Sequence, residues 1–356
     1  MEKSPSASAS PPAPLLIFAK TLLRQQEISP KKRFFAIGLQ KNSNNHERDS
    51  QNHPIQKELQ TLNDLAKRKN VALSLSSGGA RGLAHVGAIE ALEQYGYKIT
   101  SIAGTSCGAL VAGIYAAGRL DAFKRWAEQL DHKKIRELTD YALSLSYLVK
   151  GERIIEELKK ICPDRNIEEL PIPFCCVATD WKTGEEVVFD RGSLWQAIRA
   201  SISIPAYLEP VEQDGKILID GGISNPLPLD RVARTDNDLL VGVNVSGHDY
   251  GSLYERRKST EAWLIKNSRV LTLLSKVIPE GIDPNLNYYT LLNQTISIAI
   301  SQNARKSILL NKPDLMLDLP MKRYNGSDYD KFENIRRVGF RKMKQAIEAF
   351  QKQQPA

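Results

Sequence analysis

The chain has 356 residues, of which 42% are apolar and 25% are charged, and its formal net charge at neutral pH is +8. This composition is ordinary for a soluble protein and supplies enough apolar residues for a sizeable core. The excess positive charge lies near the start, because residues 1–70 hold twelve Lys and Arg against six Asp and Glu. Such a tail could contact anionic lipid or nucleic acid, although solvation without a partner is the commoner outcome.

Cysteine usage and hydropathy exclude several classes of protein. Four cysteines, two of them adjacent at Cys175 and Cys176, do not form a disulfide framework, and none has zinc-ligand spacing with a histidine. No apolar run is long enough to cross a bilayer, and the run at 13–19 lacks the basic start of a signal peptide. We therefore expect a metal-free cytoplasmic protein, soluble or peripheral at a membrane.

Composition shifts and hydrophobic periodicity divide the chain. Residues 1–65 are predicted to form a disordered or loosely ordered basic tail, because 1–12 and 41–54 bury too little apolar surface to offset the entropy lost on ordering. Strands alternating with helices predict a three-layer α/β/α fold with a mostly parallel central sheet. We assign its core to 71–235, a further core strand to 236–246, and a final strand and helix to 313–351. Between them, 247–312 predict a helical insertion, either a lid beside the cleft or a plain packing element.

Short apolar runs and helical spacing predict the elements in chain order. They are a strand at 71–76, a helix at 83–95, a strand ending at 103, helices at 106–117, 122–130 and 152–161, a hairpin of 174–181 with 185–189, a helix at 193–202, a hairpin of 211–212 with 216–219, a buried parallel strand at 239–245, helical stretches at 262–278 and 288–304, a strand at 315–319 and a helix at 329–351.

A glycine-rich turn connects the first strand to the first helix. Backbone N–H groups at such a turn converge on an anion, and in acyl transfer they form an oxyanion hole. The alternative is a dinucleotide phosphate site, which is weakened by Ser77 at the first glycine position and by the lack of a well-placed acidic residue downstream. The Arg81 side chain either binds the phosphate of a ligand or braces the turn. The candidate oxyanion donors are Gly78, Gly79, Ala80, Arg81 and Gly82.

The second motif follows the second strand. Gly104-Thr-Ser-Cys-Gly108 has the G-x-S-x-G pattern of a nucleophile elbow. A nucleophile on a tight strand-to-helix turn needs neighbours without bulk two residues away on each side. Ser106 would then stand at a helix N-terminus, where free N–H groups favour developing negative charge. The alternative is a small-residue turn that only lets a helix pack close to the sheet.

The third motif is the strand ending in Asp220, which is followed by Gly221 and Gly222. We expect this carboxylate to open from the carboxyl end of its strand into the crevice where α/β sheets bind ligands. Glycines beside it leave room for the carboxylate to reach a neighbouring side chain. Alone, the motif is more often a simple Asp-Gly turn.

The three motifs in this order, together with the stretch 193–205, resemble the patatin-like phospholipase family over residues 71–235. Ser77 departs from the first glycine of the family's motif. The resemblance implies a catalytic dyad in which Ser106 attacks an ester carbonyl and Asp220 accepts its proton. It implies a serine hydrolase for acyl esters of phospholipids or lysophospholipids, with peripheral membrane contact, no cofactor and no nucleic acid.

Two alternatives remain open at this point. A catalytically silent protein that binds lipid or membrane could share the fold. A Ser–acid–His triad is also conceivable, because His248 follows Asp220 in the order found in α/β-hydrolases. His85, one turn past the glycines, is more typical of a packing residue. A dyad requires Asp220 to be desolvated, since an ordinary carboxylate is a poor base for an alcohol.

Overall fold

The computed structural model of the chain describes residues 69–142, 144, 146–247, 288–320 and 324–353. The predicted tail at 1–65, the amphipathic segment at 262–278 and His248 lie outside these residues.

Eight strands form one sheet in the described part of the chain. They are β1 Asn70–Leu75, β2 Lys98–Thr105, β3 Phe174–Asp180, β4 Glu186–Phe189, β5 Val211–Gln213, β6 Lys216–Asp220, β7 Asp238–Asn244 and β8 Leu315–Asp318. Five of them run parallel in the order β3-β2-β1-β7-β8. Strands β4 and β6 pair antiparallel with β3, and β5 pairs antiparallel with β6. The predicted parallel centre and both hairpins are therefore present.

Helices flank both faces of this sheet, which confirms the three-layer α/β/α prediction. In the described part of the chain they are α1 Ala84–Gln94, α2 Cys107–Ala116, α3 Leu120–Ala127, α4 His132–Leu138, α5 Glu152–Ile161, α6 Leu194–Ser201, α7 Tyr288–Asn311 and α8 Phe332–Lys352.

Strand alternation separates two cores. Leu73 and Leu75 of β1 face the larger cluster, which includes residues of α1, α2 and α8. Ala72 faces the smaller one with Leu227 and Ala304, where α7 and the segment after Asp220 cover the second face. Cys176 and Cys175 likewise belong to the larger and the smaller cluster, as alternation along a strand predicts.

Helices α1 and α8 cross so closely that their backbones are in contact. A Cβ atom on Gly87 would lie 1.9 Å from the carbonyl oxygen of Arg336, and one on Gly339 would lie 1.9 Å from that of Ala84. Only glycine fits at such an approach. The crossing fixes the C-terminal helix over the helix that follows the glycine-rich turn.

Several helix boundaries differ from prediction. The helix predicted at 122–130 lies at Leu120–Ala127, and α4 was not predicted. Helix α7 continues to Asn311 instead of ending at 304. Ala304 packs into the smaller core, and one turn later the Ser307 hydroxyl donates to the Leu227 carbonyl. Helix α8 begins at Phe332 after a 3₁₀ turn over Tyr329–Lys331. Among the helices of the described residues, none combines the length and the apolar character needed to cross a membrane.

Candidate active site

Ser106 occupies a strained turn between β2 and α2. Its φ of 56° and ψ of −125° lie outside the usual regions for a residue with a side chain, and such backbone costs roughly 1–3 kcal/mol. The flanking glycines make the turn possible. A Cβ atom on Gly104 would lie 2.4 Å from the Gly108 carbonyl oxygen, and one on Gly108 would lie 2.4 Å from that of Leu75.

Ser201, at the end of α6, holds this turn in place. The Ser106 N–H donates to Ser201 Oγ at 2.9 Å, and Ser201 Oγ donates to the Val177 carbonyl at 2.6 Å. The hydroxyl thus ties the strained residue to β3. Ser201 was not predicted as a site residue, because nothing in its local sequence pattern separates it from the other small residues of the helix.

Replacement of Ser201 by alanine is expected to lower both stability and ester hydrolysis. The buried Ser106 N–H loses its acceptor, which costs about 2 kcal/mol of unfolding free energy, and a turn that is less firmly held lowers activity about tenfold. Urea unfolding and a nitrophenyl ester assay measure the two effects. Ser203→Ala is the matched control, because its hydroxyl bonds to Arg199 instead. Equal losses in both variants would assign the effect to the loss of any buried hydroxyl at this end of α6.

The structure brings Asp220 against Ser106. The Ser106 hydroxyl donates to Asp220 Oδ2 at 2.5 Å, and the Gly222 N–H donates to Asp220 Oδ1 at 2.7 Å. Both side chains are buried, with Ser106 4% and Asp220 5% exposed. Burial raises the pKa of Asp220 to about 6, and the two hydrogen bonds only partly oppose this shift.

Asp220 lies at the carboxyl edge of the parallel strands, as expected, but its own strand is not one of them. Strand β6 runs antiparallel to β3, so it begins beyond the end of β3 and runs back toward this edge. It ends where Asp220 is paired with Ala178, one residue beyond the Val177 that pairs with Thr105. Asp220 therefore stops at the level where β2 ends and Ser106 begins. Close packing requires glycine next, since a Cβ on Gly221 would lie 2.0 Å from the Val177 carbonyl oxygen.

The glycine-rich turn lies between the segments that carry Ser106 and Asp220. A Cβ on Gly82 would lie 2.6 Å from the Sγ atom of Cys107, the residue after Ser106. A Cβ on Gly222 would lie 3.1 Å from Ser77 Oγ and 2.9 Å from Asp220 Oδ1. Burial raises the pKa of the Cys107 thiol to about 12, so this thiol stays protonated beside the serine.

The five predicted oxyanion donors are not equivalent. The Ala80 N–H donates to the Gly326 carbonyl at 2.8 Å, so this amide is already engaged. The N–H groups of Gly78 and Gly79 donate to no backbone carbonyl among the described residues. Arg81 Nε donates to the Gly78 carbonyl at 3.1 Å, which gives the bracing role a direct contact. Gly82 lies in the 3₁₀ turn and packs on Cys107.

The described histidines do not contact the pair of Ser106 and Asp220. His85 is fully buried, and its Nε2 lies 2.8 Å from the Ser76 carbonyl oxygen. Burial lowers the pKa of His85 to about 4, so it is neutral, as expected for a packing residue. His132 lies on the surface 3.5 Å from Asp330. Within the described residues, no group of three or more His, Cys, Asp or Glu side chains is arranged to hold a metal ion.

Comparison with known proteins decides the family. The family model for patatin-like phospholipases matches residues 73–233. The chain is also 34% identical over 331 residues to an uncharacterized NTE family protein of Mycobacterium bovis, across 79% of this chain and 92% of that protein. The chain belongs to the patatin-like phospholipase family. This patatin-like chain is 28% identical to the rat patatin-like phospholipase domain-containing protein 7 over 280 residues, which are 76% of the chain but 20% of the rat protein.

Among solved structures, this patatin-like protein matches VipD from Legionella pneumophila with a TM-score of 0.40 and 15% sequence identity. The match covers 80% of this chain and 67% of VipD. The family model and the Mycobacterium bovis protein confirm the resemblance read from the three motifs, and family membership supports a lipid hydrolase.

Proposed function

We propose that the protein is a serine hydrolase that cleaves acyl esters of phospholipids or lysophospholipids with a dyad of Ser106 and Asp220. The observation that supports this most strongly is the 2.5 Å hydrogen bond from Ser106 Oγ to Asp220 Oδ2 on a strained, buried turn. Strained backbone persists only where the surrounding structure holds it in place, and such residues are common at active sites.

The chemistry follows from the positions of the two side chains. Ser106 Oγ attacks the ester carbonyl carbon while its proton passes to Asp220 Oδ2. When the tetrahedral intermediate collapses, the alcohol half of the lipid leaves with that proton, and the acyl group remains on Ser106. A water molecule then attacks the acyl-enzyme, transfers its proton to Asp220, and releases the fatty acid; the proton returns to Ser106.

The negative oxygen of the intermediate needs donors close to the nucleophile. We assign this role to the Gly78 and Gly79 amides, because the turn packs between the two catalytic segments and these amides are not used by backbone carbonyls of the described residues. Each such donor stabilises the transition state by about 3 kcal/mol. Ala80 is left out of the assignment, because its N–H is bound to Gly326.

A fluorophosphonate probe tests the proposal, because it labels an activated serine covalently. We expect full-length protein to be labelled on Ser106 and to release fatty acid from phosphatidylcholine or lysophosphatidylcholine. The Ser106→Ala variant should show neither reaction, while Ser203→Ala should retain both. Absence of labelling in the folded wild-type protein would favour the alternative of a silent lipid-binding protein.

A further inference from the structure

Three exposed side chains that carry apolar groups come from backbone segments that are paired with one another. Tyr141, Leu148 and Tyr207 are 74%, 49% and 39% exposed. They are joined through the backbone, because the Leu148 N–H donates to the Tyr207 carbonyl at 3.2 Å and Tyr141 forms an antiparallel bridge with Val149. Single exposed apolar residues are ordinary, whereas a cluster marks a contact surface. We call these three side chains the Tyr141 surface.

The Tyr141 surface borders the proposed dyad. The Asp220 N–H donates to the Ser203 carbonyl at 2.8 Å, and Tyr207 follows Ser203 after one turn, closed by its N–H bond to Ile204. Tyr207 is therefore about one turn of chain away from the residue that bonds to the Asp220 backbone.

The loop that carries Tyr141 and Leu148 is held at both ends. Asp140 accepts hydrogen bonds from the Gly151 and Glu152 N–H groups at 2.8 Å and 2.9 Å. Near the other end, the Tyr147 hydroxyl donates to Glu209 Oε1 at 2.5 Å. Apolar side chains presented from an anchored loop lose little additional entropy when they bind.

We propose that the Tyr141 surface docks the enzyme on the surface of a phospholipid bilayer; this inference rests on the proposed lipid hydrolase function. Ser106 is 4% exposed, so the ester must be brought from the lipid interface into a covered site. Tyrosine suits that interface, because its ring is apolar and its hydroxyl is polar. The flanks carry both signs of charge, Asp140 and Glu209 against Lys150, which favours zwitterionic over anionic lipid.

A second copy of the chain fits this surface less well. The exposed parts of the three side chains amount to on the order of 300 Å². A stable protein interface needs about 800 Å² on each partner. Insertion into an interface has no such minimum, since each buried apolar side chain adds to binding independently.

Sedimentation with phosphatidylcholine vesicles tests the proposal. The full chain carries Ser106→Ala throughout, so that hydrolysis does not alter the vesicles. Adding Tyr141→Ser and Leu148→Ser should lower the partition coefficient about tenfold. The matched control adds Leu309→Ser and Leu310→Ser, whose side chains are 71% and 80% exposed at the end of α7. This end of α7 leads into the amino end of the parallel strand β8, whereas Ser106 follows the carboxyl end of β2. This control should bind as before.

Unchanged vesicle binding in the Tyr141→Ser, Leu148→Ser variant would overturn the docking proposal, and so would an equal loss in the control. Loss of concentration-dependent self-association without any vesicle binding would assign the surface to a second copy instead. The same pair of changes with Ser106 intact should leave hydrolysis of a soluble nitrophenyl ester unchanged, which shows that the variant is folded. The vesicle result is independent of catalysis, so failure of the dyad and failure of the docking surface are distinguished.

Discussion

Replacement of Asp220 by asparagine is expected to lower kcat/KM for a nitrophenyl ester about 10³-fold, which corresponds to roughly 4 kcal/mol of transition-state stabilisation. Asparagine has nearly the same size and keeps an oxygen for the Gly222 N–H, but its amide cannot accept the proton of Ser106. The substitution therefore removes the base while leaving the packing of the site in place. Initial rates at saturating and limiting ester measure the loss, and it should appear in kcat.

Two controls define this prediction. Asp180→Asn makes the same chemical change at another buried aspartate, which ends the neighbouring strand β3. Asp180 Oδ1 accepts a hydrogen bond from the Lys182 N–H at 2.9 Å. This variant should retain activity within about twofold. The double variant with Ser106→Ala should be no less active than Ser106→Ala alone, since residues that act as a unit are not additive. More than a tenth of the wild-type rate in Asp220→Asn would require another base for Ser106.

The elbow could be predicted from the sequence because its physics is local. Gly104 is required by the Gly108 carbonyl four residues later, so the spacing within the turn carries this information. Gly108 is required in addition by the Leu75 carbonyl of β1, which the spacing does not show. The alternation that sends Cys175 and Cys176 to opposite cores is local in the same way. Patterns set by neighbouring residues survive in the sequence, whatever the rest of the chain does.

The position of Asp220 and the role of Ser201 depend on tertiary structure and could not be predicted in this way. A strand of alternating apolar residues has the same pattern in either direction, so the sequence of β6 does not indicate that it is antiparallel to β3. Ser201 becomes an anchor only because α6 ends beside the elbow. The Ala80 N–H is likewise engaged by Gly326, which belongs to the C-terminal part of the chain. The domain boundaries and the proposed lid stay predictions.

The pH dependence of the reaction is expected to report Asp220. Burial raises the pKa of this carboxyl to about 6, and only its ionised form can accept the Ser106 proton. The value of kcat/KM should therefore rise with pH, reach half of its maximum near pH 6 and level off above pH 7. A profile at constant ionic strength with a soluble ester measures this, and a half-maximum near pH 4 would show that the carboxyl is solvated in the working enzyme.

The same pKa has a consequence for stability, of opposite sign to activity. The folded-state pKa of Asp220, about 6, exceeds the ordinary value of 3.8, so the folded protein holds this proton more tightly. The contribution to folding is then fully present below about pH 4 and is lost as pH rises through 6, a change of about 3 kcal/mol. Asp220→Asn avoids this loss. Urea unfolding should find the inactive variant more stable than wild type at pH 8 and nearly equal to it at pH 4. A variant no more stable at pH 8 would mean that burial of the ionised carboxylate costs no stability, and the dyad would then lack the desolvated base on which its chemistry depends.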